Sequence, residues 1–180
     1  MRKSVVVLAT LAVLFISVCT TAQFKDDYWY RIPPEWKGQI TTRSYDGISE
    51  LGIEAFWCTN AAFLAFWGDE AKAHEESDSV MLDLVSKTWP GRAVLFLGVA
   101  PYEQGKYYWW PTSLVVTQGS ILQHNIAIAD LLKVNDAFGS GRLYATAMGF
   151  VALPADLDLT KTFRLWYEEQ YMVLGPFTKP

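Results

Sequence analysis

The segment RAVLFLGVA (residues 92–100) decides the fold, because it opens a region made almost entirely of segments with the length and composition of β-strands. Branched and aromatic residues, which favour strands, dominate these segments. Glycine and proline between them are typical of turns. The predicted strands are RAVLFLGVA (92–100), YYWWPTSLVVTQ (107–118), SILQHNIAIADLL (120–132), GRLYATAMGFVAL (141–153), KTFRLWYEE (161–169) and QYMVL (170–174).

The first half of the chain contains both strand and helix patterns. The segment QITTRSYDG (39–47) predicts a strand that ends in an Asp-Gly turn. Apolar and polar residues alternate in SELGIEAFW (49–57), as expected for a half-buried strand. Apolar residues at helical spacing then predict a helix over residues 60–76, capped by Thr59 or Asn60.

The order of these segments predicts the fold class. Residues 78–87 fit a helix and a strand equally well, so both remain open. Because no helices alternate with the strands after Gly91, the chain favours an antiparallel sandwich or barrel over a doubly wound sheet. We therefore expect a mainly β fold with one or two helices inserted in its first half.

The N-terminus has the features of a secretory signal peptide. Arg2 and Lys3 precede an apolar run over residues 5–18, and small residues follow up to Ala22. This run is short for a membrane span, which needs roughly 20 apolar residues. We expect cleavage after Ala22 and a protein that is secreted or held in the cell envelope. The predicted organisation is a signal peptide (1–22), an extended leader (23–38) and a single β-sandwich domain (39–180).

Cys19 leaves a second interpretation of the N-terminus open. A cysteine directly after an apolar run resembles the lipobox of bacterial lipoproteins, in which a lipid is attached to the cysteine. Val18 stands where that motif has Gly, Ala or Ser. A structural lipoprotein anchored at Cys19 is therefore an alternative, and membrane contact is expected only through the signal or this anchor.

Composition argues against several classes of function. The chain has 15 basic and 19 acidic side chains, and phosphate binding depends on clustered Lys and Arg. No nucleic-acid partner is therefore expected. After cleavage only Cys58 would remain, which excludes an internal disulfide and favours a buried, apolar thiol. A cysteine nucleophile would need a nearby base, and the chain has only two histidines.

The later strands carry a resemblance to a known type of module. TQG (117–119), GSGRLYATAMGFVALP (139–154) and DLDLTKTFRLWYEE (156–169) resemble the C-terminal half of immunoglobulin-like sandwich modules of exported prokaryotic proteins. The resemblance spans roughly residues 92–178. In those modules, a strand ending in Gly-x-x-x-x-Pro is followed by an Asp-rich corner and a Phe-x-Leu-x-Tyr strand. The resemblance implies an immunoglobulin-like β-sandwich and an exported setting, and it carries over no catalytic residue.

The histidines do not form a convincing catalytic or metal site. His74 shares a predicted helix face with Glu70 and Asp78, a spacing that can hold a divalent cation, but an ordinary solvated face explains it better. His124 alternates with apolar residues and is expected to be a hydrogen-bonded core or edge residue. A Ser-His-Asp arrangement assembled across the fold stays open, although no Gly-x-Ser-x-Gly elbow is present.

Paired carboxylates are the remaining catalytic candidates. Glu50 and Glu54 lie on one predicted strand, and Glu168 and Glu169 close another. Glu50 and Glu54 would be roughly 13 Å apart, whereas a retaining glycosidase needs its two carboxyl groups about 5 Å apart. Solvent-facing charges explain these residues better than catalysis does.

Four adjacent aromatic residues are the candidate ligand-binding site. In a strand, Tyr107 and Trp109 face one side while Tyr108 and Trp110 face the other. The inward pair needs no functional explanation, because burying one such ring stabilises the fold by several kcal/mol at about 25 cal/mol per Å². Two adjacent exposed rings on the other side would form an apolar patch able to stack on sugar or contact a protein.

These observations favour an exported, noncatalytic cell-envelope module that binds or assembles with an extracellular protein or glycan. No catalytic residue, metal or cofactor is predicted, and the sequence leaves the oligomeric state open. The main alternative is a secreted glycan-acting hydrolase that uses paired carboxylates. The two hypotheses differ in whether acidic or histidine side chains converge in one pocket.

Overall fold

The computed structural model describes residues 29–43, 50–67, 71–120 and 122–177. The predicted signal peptide with Cys19, the Asp-Gly turn at residues 46–47 and Glu70 all lie outside the described residues. The described part is mainly β, with antiparallel sheets and two helices. At this level the predicted fold class is confirmed.

The described residues form eleven strands and two α-helices. The strands are β1 (Lys37–Arg43), β2 (Glu50–Trp57), β3 (Val94–Pro101), β4 (Tyr108–Trp109), β5 (Leu114–Gln118), β6 (Leu122–Asn125), β7 (Leu131–Lys133), β8 (Gly141–Arg142), β9 (Ala147–Ala152), β10 (Phe163–Tyr167) and β11 (Gln170–Leu174). The helices are α1 (Asn60–Trp67) and α2 (Ala71–Thr88).

The larger sheet has the strand order β1-β2-β3-β9-β7, and every neighbouring pair is antiparallel. Strand β3 lies in its middle, and all its residues from Val94 to Val99 are buried. A strand covered on both faces needs apolar residues at every position. This explains why RAVLFLGVA (92–100) is a continuous apolar run.

Helix α1 covers one face of the larger sheet through phenylalanine contacts. The register places Phe56, Phe96 and Phe150 side by side on three neighbouring strands. From α1, the rings of Phe63 and Phe66 lie 5.5 and 5.6 Å from that of Phe56. The Thr59 hydroxyl accepts a hydrogen bond from the main-chain amide of Ala62 at 3.1 Å and so caps the helix, as predicted.

The smaller sheet, with the order β11-β10-β5-β6, packs on the opposite face. The Trp57 ring of β2 stacks on Phe177 at 4.7 Å, and Phe177 contacts Phe163 of β10 at 5.3 Å. Strand β1 approaches β11 so closely that a Cβ on Gly38 would lie 2.9 Å from the Met172 side chain. The described part of the molecule therefore has a helical layer and two sheet layers around a continuous core.

Three predicted strands are each divided in two. Segments 107–118, 120–132 and 141–153 give β4 with β5, β6 with β7, and β8 with β9, and the members of each pair belong to different sheets. Pro111 starts a single 3-10 turn in the first segment because it has no amide to donate to a ladder. In the second segment, the carboxylate of Asp130 accepts a hydrogen bond from the main-chain amide of Ala127 and closes another 3-10 turn.

The helical region also differs from the prediction in its boundaries. The expected helix over 60–76 corresponds to α1 and the first part of α2, and α1 ends at Trp67. Residues 78–87, which the sequence left open, are helical within α2. Met81 and Val85, four residues apart, are buried, which accounts for the helical choice.

The predicted leader contributes to the core where it is described. Pro34–Trp36 form one 3-10 turn, and β1 begins at Lys37. Ile32 is fully buried and Trp36 is nearly so. Among the described residues, neither helix combines the length and apolar character needed to cross a membrane.

Candidate functional site

The four adjacent aromatic residues alternate between core and solvent as predicted. Tyr107 and Trp109 are 4% and 0% exposed, whereas Tyr108 and Trp110 are 47% and 48% exposed. Strand β4 supplies this alternation, because successive side chains of a strand point to opposite faces. The predicted ligand-binding residues therefore divide into a buried pair and a solvent-facing pair.

The buried pair fixes the position of the segment. Trp109 donates its indole N–H to the carbonyl oxygen of Phe138 at 3.2 Å, and its ring lies 4.8 Å from Tyr167. The Tyr107 hydroxyl donates to the Glu168 carboxylate at 2.8 Å. Burial, which disfavours the phenolate, raises the pKa of Tyr107. These contacts hold β4 in place while its other face remains accessible.

The exposed pair forms a ring surface, which we define as Tyr108, Trp110, Arg142 and Tyr144. The Tyr108 and Trp110 ring planes are within 8° of parallel, and their centroids are 6.4 Å apart. Strand β8 pairs with β4 and places Arg142 opposite Tyr108. The Arg142 guanidinium lies 5.0 Å from the Tyr108 ring centre and donates to its hydroxyl at 2.9 Å.

Tyr144 belongs to the same surface through its contact with the preceding loop. Gly105 has a φ of 70° and donates its amide to the Leu143 carbonyl at 2.6 Å. A Cβ at Gly105 would lie 2.8 Å from the Tyr144 ring, so the loop packs directly against this ring. Hydrogen bonds to Tyr144 and Tyr108 raise the pKa of Arg142. The charged guanidinium lies beside two exposed tyrosine side chains.

Two carboxylates share one cavity at the β10–β11 turn. Glu168 and Glu169 line a cavity of about 500 Å³ together with residues of β1. Glu168 adopts a φ of 54°, in the left-handed region that is uncommon for non-glycine residues. Its carboxylate accepts hydrogen bonds from Thr42 at 3.0 Å and from Tyr107 at 2.8 Å. Glu50 and Glu54 lie on β2, and the Glu50 carboxylate binds Arg43 at 3.2 Å.

His124 lies beside an ion pair between half-buried Arg92 and buried Asp130. Asp130 is 7% exposed, and its carboxylate contacts Arg92 at 2.8 Å and His124 at 3.5 Å. Arg92 also donates to the carbonyl oxygens of Leu153 and Ala152. Arg92 therefore donates three hydrogen bonds, two to main-chain carbonyl oxygens and one to a carboxylate oxygen. The cluster therefore joins β6, β7 and β9, and the histidine is a hydrogen-bonded edge residue, as predicted.

The predicted cation group around His74 is incomplete in the described residues. His74 is half-buried on α2 and Asp78 is buried, whereas Glu70 lies outside the described residues. Across residues 29–43, 50–67, 71–120 and 122–177, no group of three or more His, Cys, Asp or Glu side chains has a metal-binding arrangement.

A second cavity lies beside α2. It measures about 560 Å³ and is lined mainly by apolar side chains, among them Trp57, Leu82 and Trp89. Cys58 also lines it, and burial followed by the nearby Asp78 charge raises the pKa of this thiol. The thiol is therefore poorly ionised, which agrees with the predicted buried, apolar cysteine.

Sequence reasoning missed Arg142 and Tyr144 as members of the ring surface. They follow the turn at residues 139–141, about thirty residues after the aromatic run, and only the β4–β8 pairing brings them to it. The sequence around Arg142 and Tyr144 does not predict that β8 pairs with β4.

Comparisons with known proteins give no indication of what the ring surface binds. No protein-family model, curated protein or solved structure matches the chain.

Proposed function

We propose that this protein is an exported, noncatalytic module of the cell envelope that binds an extracellular partner or ligand through its ring surface. The observation that carries the proposal is the pair of exposed, parallel rings of Tyr108 and Trp110 beside the Arg142 guanidinium. Aromatic and arginine side chains supply a large share of the binding energy at recognition surfaces.

The ring surface is held in place before any ligand binds. Buried Trp109 anchors β4 from below, and the hydrogen bond from Arg142 restrains the Tyr108 ring from the side. A surface that is already ordered loses less conformational entropy on binding. Leaving two large rings half-exposed also forgoes the stabilisation that their burial would supply. These two features favour recognition over a purely structural role.

The export and sandwich parts of the proposal rest on the sequence. The signal peptide lies in residues 1–22, and Cys19 remains the alternative anchor for a structural lipoprotein. We further propose that residues 92–178 belong to an immunoglobulin-like sandwich, which the two antiparallel sheets that contribute to one core support. The intact mass of the purified protein tests the N-terminus, because cleavage after Ala22 and lipidation of Cys19 leave different masses.

Binding to isolated cell-envelope material tests the function. The protein is purified after expression of the full chain, and its cosedimentation with envelope fractions is measured for wild type, Tyr108→Ala and Trp110→Ala. Loss of a central aromatic contact costs about 2 kcal/mol, so we expect roughly 30-fold weaker binding. Tyr102→Ala is the matched control, because Tyr102 is also an exposed tyrosine, at 63%. Equal binding by Trp110→Ala and Tyr102→Ala would contradict the proposal.

A glycan-acting hydrolase remains the second candidate, because Glu168 and Glu169 share a cavity. Against it, the Glu168 carboxylate is already engaged within the fold, where it accepts hydrogen bonds from the Thr42 and Tyr107 hydroxyls. Release of reducing sugars from envelope glycans by the wild type, abolished in Glu168→Gln, would support hydrolysis over binding.

A further inference from the structure

The smaller sheet turns a second set of aromatic residues away from the core. Along β10, Phe163, Leu165 and Tyr167 are buried, while the alternate residues Arg164 and Trp166 point outward. Along β11, Tyr171 and Val173 are 41% and 52% exposed. We call this side the outer sheet face and define it by Val115, Thr117, Gln123, Asn125, Arg164, Trp166, Tyr171 and Val173.

The strand register assembles the two rings of this face. Trp166 lies opposite Tyr171 on β11 and opposite Val115 on β5. The centroids of the Trp166 and Tyr171 rings are 4.5 Å apart, with the planes at 45°. The Trp166 indole N–H donates to the Thr117 hydroxyl at 2.8 Å, which fixes the orientation of its ring. The rings are therefore preorganised by cross-strand contacts.

Arg164 supplies the only charge of the outer sheet face. Its guanidinium lies 4.5 Å from the Tyr171 ring centre and 5.9 Å from that of Trp166. Within the described ranges, no carboxylate lies at salt-bridge distance from Arg164, in contrast to Arg43 and Arg92. The other polar members of the face are hydroxyl and amide groups, which are neutral hydrogen-bond partners. The face thus combines one unneutralised cation, two rings and neutral polar groups.

We propose that the outer sheet face binds an acidic oligosaccharide. The carboxylate or sulfate of the ligand accepts hydrogen bonds from Arg164, whose planar fork suits both groups. The C–H faces of the sugar rings pack on Trp166 and Tyr171, because the face of an aromatic ring carries negative charge density and attracts weakly positive hydrogens. Gln123 and Asn125, exposed on β6, are placed to bond sugar hydroxyls further along the ligand.

The size of the face favours a short glycan over a protein. Four strands about 4.8 Å apart span roughly 14 Å, and outward residues along one strand are roughly 7 Å apart. The outward side chains therefore start from an area of roughly 14 by 7 Å, which suits a short extended ligand better than the broad surface that a stable protein interface needs.

The charge of the face favours a glycan over a nucleic acid. Single-stranded nucleic acid needs a positively charged groove that follows its backbone, and the face supplies one arginine on a chain of net charge −4. A glycan segment with a single acidic group matches that one cation.

This site is separate from the ring surface and extends the proposed function. The ring surface lies on β4 and β8, which form their own two-stranded sheet. Loss of binding in Tyr108 or Trp110 variants therefore tests the proposed function, whereas loss of binding in Arg164 or Tyr171 variants tests the outer sheet face.

Binding to an oligosaccharide array tests the inference. The array contains uronic acid, sialic acid and sulfated oligosaccharides beside neutral oligosaccharides of the same lengths, with single-stranded DNA as a further probe. We expect the protein to bind acidic members only, with at least tenfold weaker binding for Arg164→Ala and Tyr171→Ser. Arg164→Lys retains part of the affinity, because it keeps the charge and loses the fork. Raising the salt concentration weakens wild-type binding more than that of Arg164→Ala.

Two controls separate the site from general effects. Lys87→Ala removes one exposed positive charge from α2, and Tyr102→Ala removes an exposed ring that belongs to neither surface. Both should bind acidic oligosaccharides like the wild type. The inference is overturned if no acidic oligosaccharide binds, or if neutral oligosaccharides or DNA bind equally well. It is also overturned if Arg164→Ala and Tyr171→Ser retain full binding while their thermal unfolding shows that both variants are folded.

Discussion

At the residue scale, the lack of a side chain at one glycine allows a close contact in the core. Gly149 of β9 faces Phe138, and a Cβ at this position would overlap the Phe138 ring. Phe138 in turn contacts the Trp109 ring at 5.9 Å and accepts its indole hydrogen bond on the main chain. The absence of a side chain at Gly149 therefore lets Phe138 support the buried side of the aromatic run.

Gly149→Ala tests this close approach. Overpacking a dense core costs about 1 to 3 kcal/mol, so we expect the free energy of unfolding to fall by that amount. Chemical denaturation measures it. Adding Phe138→Leu should recover part of the loss, because the two substitutions couple. Gly52→Ala is the control, since its nearest neighbour, the Ala100 carbonyl oxygen, would lie 3.8 Å away. A change of similar size in both variants would show that Phe138 is not the cause.

Asp130 has a predictable effect on the pH dependence of stability. Burial alone would raise its pKa, but the bonds from the Ala127 amide, Arg92 and His124 outweigh burial and lower the pKa. A lowered folded-state pKa stabilises the protein above the unfolded pKa of about 3.9 and loses that effect as the pH falls through the folded pKa.

Asp130→Asn should therefore destabilise the protein most near neutral pH. Removing one partner of a buried pair costs roughly 3 kcal/mol, because Arg92 is left without its counter-charge. The difference from wild type should shrink as the pH falls below the unfolded pKa of about 3.9 toward the lower folded-state pKa of the wild-type carboxylate. Urea unfolding at neutral and acidic pH measures both differences. A gap that is constant with pH would assign the effect to lost packing.

At the scale of elements, turns rather than strand propensity decide the topology. Strands β4 and β5 are separated by the turn over Pro111–Ser113, and β6 and β7 by the turn over Ile128–Asp130. Each turn moves the chain from one sheet to another. As a result, residues of one predicted strand, such as Trp109 and Val116, lie in different sheets of the same core.

Helix α1 is an element whose start depends on one side chain. Thr59 caps it through the Ala62 amide, and the helix is only eight residues long, so little else stabilises its first turn. Thr59→Ala should lower the free energy of unfolding by about 1 kcal/mol, whereas Thr59→Ser should retain most of it. Thermal unfolding of the three proteins measures the effect. Equal losses for Ala and Ser would point to packing of the Thr59 methyl group instead.

At the scale of the whole molecule, one core joins the helical layer to both sheets. Phe56 links α1 to the larger sheet, and Trp57, the next residue, reaches Phe177 on the other side. Adjacent residues of β2 therefore connect all three layers. Such a core is expected to unfold as a unit.

Cys58 reports on this cooperative unfolding. It is 8% exposed, and burial raises the pKa of its thiol, so the native protein should react very slowly with a thiol reagent. Adding denaturant should raise the alkylation of Cys58 in step with the loss of near-UV circular dichroism. Peptide mass spectrometry locates the modified cysteine. Rapid labelling in native conditions would show that the cavity beside α2 opens without global unfolding.

Alternation within short segments was predictable from the sequence. The two-residue period places Tyr107 and Trp109 on one side and Tyr108 and Trp110 on the other, because neighbouring side chains of an extended chain point to opposite sides. The tertiary structure buries the first pair. The same period explains the burial of Leu51, Ile53, Ala55 and Trp57 along β2. The alternation itself depends on local geometry alone.

The sequence by itself determined the strand-rich composition, the placement of the helices in the first half and the alternation within the aromatic run. Only the tertiary structure decided which strands are neighbours, and hence that Arg142 meets Tyr108 and that Trp166 meets Tyr171. The physical reason is the distance along the chain over which each feature is decided. Alternation depends on the backbone geometry of adjacent residues, whereas pairing depends on turns and on core packing between residues that are far apart in the chain.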